Sequence, residues 1–96
     1  MTFDDFKASL EQALPPAGLS GSLQALWWAG KDDWDQAHKL VMGEGGCDAS
    51  WVHAYLHRVE GDLPNARYWY AQANREPAAD ALNVEWGAIT REMLAR

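Results

Sequence analysis

Apolar residues return along this chain at helical spacing, in six stretches punctuated by glycine, proline and aspartate. Phe3, Phe6, Leu10 and Ala13 or Leu14 form the first stripe, closed by Pro15-Pro16. Thr2, with Asp5 three residues on, supplies something like a capping box, so a helix is predicted over about 3–13. Ser20 or Ser22 opens a second helix striped by Leu23, Leu26, Trp27 and Gly30, and Lys31-Asp32-Asp33 turns tightly into a third that ends near Met42 at Gly43, Gly45 and Gly46. Asp48 is the expected cap of a fourth helix, with Trp51, Val52, Tyr55, Leu56 and Val59 on one wide face before Gly61. Asp62 caps a fifth, which tolerates Pro64 in its first turn and carries Leu63, Ala66, Trp69, Tyr70 and Ala73 until Pro77 approaches. Leu82, Trp86, Ile89 and Met93 stripe a sixth from about Asp80, with Gly87 a weak spot. No period-2 alternation survives, so the expectation is an all-α fold of about six helices in a single domain over residues 1–96.

Within this pattern, residues 23–41 and 52–70 match each other without a gap at an offset of 29. Leu23 pairs with Val52, Ala25 with Ala54, Leu26 with Tyr55, Asp33 with Asp62, Ala37 with Ala66 and Val41 with Tyr70. Size and polarity recur in phase, which indicates two copies of one packed unit. Connections of two or three residues between helices 2 and 3, and between 4 and 5, force antiparallel neighbours, so each copy is a helical hairpin. Ala25 facing Ala37, and Ala54 facing Ala66, would let the paired backbones approach closely.

Composition narrows the function more than the fold. The net charge of −6 makes the average field repulsive toward nucleic-acid phosphates and anionic bilayers, and Lys31, Lys39, Arg58 and Arg67 are scattered. Neither nucleic acid nor membrane is an expected partner. The longest apolar run, Ala25 to Ala29, is far short of the roughly 18 residues of a spanning helix. Cys47 has no second cysteine to pair with, and Asp4 and Asp5 do not suit a signal peptide, so a cytoplasmic setting is expected. Six tryptophans are a surplus for a core this small, which points some of them to an interface.

Gly61-Asp62, Ala66, Trp69-Tyr70 and Ala73, with Pro77 beyond, resemble the second helix of tetratricopeptide and Sel1-like repeats. The first copy matches at Asp33, Trp34 and Ala37 but has Gly43 and Glu44 where small and apolar residues are usual. The resemblance covers about residues 22–77 and leaves helices 1 and 6 as terminal caps. It implies a protein-binding scaffold whose first helices line a concave face, here with Trp51, Tyr55 and Arg58 in one copy and Ser22, Leu26 and Ala29 in the other. Two hairpins make only a shallow groove, so either a second chain completes the array as a homodimer or the terminal helices close the bundle.

Candidate chemistry centres on histidine. His53 and His57 stand one helical turn apart, a spacing that can hold a transition metal from two sides, though a site needs at least three ligands. Their phase puts them opposite the apolar face of helix 4, whereas the repeat alignment puts them where one helix packs on another; sequence leaves both placements open. Packed or surface imidazoles are the ordinary reading, and His38, on the Trp34, Ala37, Val41 stripe, reads as a satisfied core histidine. Cys47 reads as a loop thiol without a base, Glu44 and Glu60 as surface residues, and Asp32, Asp33, Asp35 and Asp48 as helix-start carboxylates. Trp27 and Trp28 point about 100° apart and cannot share a face, so Trp28, like Tyr68, is spare for a second surface.

The reading that results is an interaction module rather than an enzyme, with no cofactor and no resident metal. Trp28, Trp51, Tyr55, His57 and Arg58 are its expected contact residues, and the partner is a protein segment or a second copy of the chain. The alternative is a small metal-binding protein or enzyme using His53 and His57 with His38.

Overall fold

Both hairpins turn on the same hydrogen bonds. A computed structural model describes all of residues 1–96 and contains α1 (Phe3–Ala8), a 3-10 turn (Ser9–Glu11), α2 (Gly21–Gly30), α3 (Trp34–Met42), α4 (Cys47–Val59), α5 (Leu63–Ala73) and α6 (Leu82–Leu94). At the end of α2 the Asp33 amide donates to the Trp28 carbonyl and the Asp32 amide to the Ala29 carbonyl. Twenty-nine residues later Asp62 donates to His57 and Gly61 to Arg58. Each pair is a Schellman closure, which requires a left-handed residue after the cap: Asp32 at φ 61° and Gly61 at φ 85°. Asp33 and Asp62 then accept from the amides of Gln36 and Asn65 and start α3 and α5 in closely similar backbone conformations. Ala25, Ala37, Ala54 and Ala66 are all buried in the core between these helices.

Several expected boundaries shift for local reasons. The Thr2–Asp5 capping box forms as the sequence predicts, and of Ser20 and Ser22 it is Ser20 that caps α2. Helix α1, however, stops at Ala8, not near residue 13: Ser9 Oγ donates to the Phe6 carbonyl and accepts from Trp27 Nε1, and Gln12 is already extended. Leu14, expected on the α1 stripe, is left exposed. Asp48 does not cap α4. Gly46, at φ 96°, occupies the cap position without a side-chain bond, and the Asp48 carboxylate pairs with Arg96.

Helix α6 packs on both α2 and α4. Trp86 Nε1 donates to the Leu26 carbonyl of α2 at 2.8 Å. Glu85, buried, accepts from Arg58 of α4 at 2.9 Å and from the Tyr70 hydroxyl of α5. Arg58 also donates to the Asp80 carbonyl. Phe3 and Phe6 of α1 pack against Trp86 from the other side. The terminal helices thus close the bundle, and Ser22 and Leu26, expected to line a groove, are buried. No helix is long and apolar enough to cross a membrane.

Candidate metal centre

Helix α4 is the hub of the chain: α2, α3, α5 and α6 all pack on it, and every residue from Trp51 to His57 is buried. That placement settles the two readings of His53 and His57 in favour of helix packing. Both project toward the seam where α3 and α5 flank α4. The Asp33 cap sets the phase of α3 so that Trp34 and His38, one turn apart, face the same seam, and α5 contributes Trp69.

The side chains stack. Trp34 lies on His38 with centroids 4.5 Å apart and planes 15° apart, and Trp69 lies on His53 at 3.9 Å and 12°. His53 and His57 are near parallel at 4.8 Å, while His38 meets them edge-on at 4.8 and 5.4 Å. His38 Nε2 and His53 Nε2 are 3.1 Å apart, so one donates to the other. One donor nitrogen from each of the three rings falls within 4.8 Å of the other two. His57 Nδ1 is 2.5 Å from a Glu60 carboxylate oxygen and donates to it. Trp34 is held in turn by its Nε1 donating to the Leu56 carbonyl at 2.7 Å.

Burial favours the neutral form of His38 and His53. Burial, followed by the charges that His57 and His38 would carry, pushes His53 down to about 4. His38 is lowered for the same first reason, burial, with His57 adding to it and Glu60 and Asp35 opposing. Neutral imidazole is the ligand form, so neither ring has to lose a net positive charge at neutral pH, but the proton shared between the two Nε2 atoms must shift to Nδ1 of its own ring before both can bind one cation.

The geometry fits a first-row transition ion. Zinc–nitrogen bonds of about 2.0–2.1 Å in a tetrahedron set the nitrogens roughly 3.3 Å apart. The His38–His53 pair already meets that spacing. The three nitrogens lie within 4.8 Å of one another, so the widest separation must close by at most roughly 1.5 Å. Glu60 on His57 reproduces the carboxylate–imidazole support common behind metal ligands. Asp62 also lies near His57, but its oxygens are engaged with Asn65 at the α5 cap.

The five expected contact residues do not share an open face. Trp51 is 9% exposed beneath the Arg75 guanidinium, which sits 3.7 Å from its ring centroid. Tyr55 is buried, His57 belongs to the histidine cluster, and Arg58 is spent on Glu85 and Asp80. Trp28 stands edge-on to Trp27 at 5.0 Å and is half-buried. They point to different neighbours because α4 is surrounded. All six tryptophans pack in or against one core, with Trp28, Trp34 and Trp69 only partly buried. Sequence reasoning overlooked Glu60, Trp34 and Trp69 as parts of this cluster, although Glu60 at three residues from His57 and Trp34 at four from His38 were available signals. Cys47 is exposed, its Sγ 4.0 Å from the Gln72 carbonyl.

Comparison with protein-family models, with curated proteins and with solved structures gives no match to this chain.

Proposed function

We propose that this chain is a small metal-binding protein that holds one divalent transition ion, zinc foremost, on His38, His53 and His57. The observation that carries the reading is the convergence of three imidazole nitrogens within 4.8 Å, one of the rings backed by a carboxylate. Imidazole donors without thiolate suit zinc, copper and nickel, and hard oxygen-seeking ions poorly. Three protein ligands leave a fourth position for water or an incoming ligand, the arrangement of exchangeable or reactive zinc rather than of a closed structural site. The interaction-module reading has less support, since Trp51, Tyr55 and His57 are buried and Arg58 is paired within the chain with Glu85.

Thermal melting of untagged protein with and without zinc tests the proposal. An ion present at 100 times its dissociation constant stabilises by about 2.7 kcal/mol, which for a domain of this size raises Tm by on the order of 10 °C. His53→Gln should abolish that rise while the metal-free variant still folds. Equal melting with and without zinc, or an undiminished rise in the variant, overturns the assignment.

A further inference from the structure

We infer that a second site, sharing only the Trp34 wall with the histidine cluster, binds a small uncharged ring compound in the cleft at the C-terminal ends of α2 and α4. The cleft has a volume of about 440 Å³, walls of Trp34, Tyr55, Leu56 and Trp86, and Val59 and Leu82 at its mouth. That volume lies in the range of sites that enclose drug-sized molecules, and its mainly apolar lining is typical of them.

The duplication explains why the space is there. The last residues of α2 are Ala29 and Gly30, whereas the positions offset by 29 in α4 are Arg58 and Val59. Arg58 reaches α6 and fills its end of the groove, whereas Ala29 is too short to do the same and Gly30 packs directly against Trp86 and Leu10. A side chain cannot simply be added at Gly30, since a Cβ there would stand 3.0 Å from Trp86 and 3.1 Å from Leu10. The opening is therefore set by close packing around a glycine. Val59 and Leu82 remain 41% and 38% exposed beside it, apolar surface that an occupant would cover.

Charge selects among occupants. Lys7 and Asp32 border the cleft with opposite signs, so neither a cation nor an anion gains from both. The indole N–H groups of Trp34 and Trp86 are already bonded to Leu56 and Leu26, which leaves these walls presenting carbon. Tyr55 stays a neutral phenol, because burial and then Glu85 hold its pKa at about 12. A planar apolar ring with one hydrogen-bonding group matches this lining.

Indole serves as the probe, with indole-3-acetate and tryptamine as its anionic and cationic counterparts, followed by amide chemical shifts of the zinc-free protein. Indole should bind saturably below 5 mM, with shifts centred on Ala29, Trp34, Val59 and Leu82, and both charged analogues should bind at least fivefold more weakly. Val59→Trp, placed at the mouth, should weaken indole at least tenfold. If that variant does not fold, Leu82→Trp on the opposite lip takes its place. Absence of saturation, shifts centred elsewhere, stronger binding of a charged analogue, or unchanged affinity in the folded variant would each overturn the inference.

Discussion

Asp32 occupies a left-handed position at φ 61° that its repeat counterpart fills with Gly61. The unfavourable contact of an L side chain there costs roughly 1–2 kcal/mol, partly relieved for aspartate. Asp32→Gly should therefore raise stability by about 0.5–1 kcal/mol, measured by denaturant unfolding, whereas Gly61→Ala should lower it by about 1 kcal/mol. The opposite signs would be hard to obtain unless both turns close in the same way. Tyr55 makes a second prediction at this scale. Its pKa is near 12 in the folded chain against an ordinary value of 10.0, so the unfolded chain loses the phenolic proton first. The contribution is complete below pH 10 and is lost as pH rises toward 12, amounting to about 3 kcal/mol at most. Tyr55→Phe should flatten the fall of stability between pH 10 and 12; an unchanged slope would contradict it. Residue chemistry of this local kind was well legible: Thr2, Asp33 and Asp62 cap where the sequence puts them, and one of the two serines it offers, Ser20, caps α2. Asp48 does not, because its partner Arg96 is 48 residues away and the start of α4 is set by a glycine turn.

Among the elements, α4 departs most from its sequence pattern. Periodicity gave it one apolar face, and the structure buries it nearly all round, since His53 and His57 pack where polar residues would ordinarily meet water. Imidazoles stacked on indoles replace hydration there, an exchange that no one-dimensional stripe reveals. The hairpins were legible because alanines recur in phase, and the close approach they allow is testable: Ala66→Leu should overpack the α4–α5 crossing and cost about 1–3 kcal/mol. Wild-type melting in that variant would contradict the packing. Helix α6 is fastened by a buried charge, and this was not legible, since Arg58 and Glu85 meet across 27 residues. Glu85→Ala leaves Arg58 without its carboxylate in a half-buried site and should cost about 3–5 kcal/mol, much of the stability of a domain this size. A loss under 1 kcal/mol would mean that the Arg58–Glu85 pair does not fasten α6.

At the scale of the whole molecule, two hairpins that could have presented a groove instead receive α6 within the same chain, and the histidine seam forms on the far side of α4 between α3 and α5. His38, His53, His57 and Glu60 come from two helices whose relative placement follows from stacking one hairpin on the other. The residue types were readable in sequence; their convergence was not, because it depends on how α3 crosses α4. The central claim is that this convergence binds metal. Anomalous diffraction at the zinc edge from crystals grown with equimolar zinc tests it most directly. The account predicts one peak per chain, about 2.0–2.1 Å from a nitrogen of each of His38, His53 and His57, with Glu60 still bonded to His57 Nδ1. A seam without a peak, with His38 and His53 still hydrogen-bonded to each other, would contradict it.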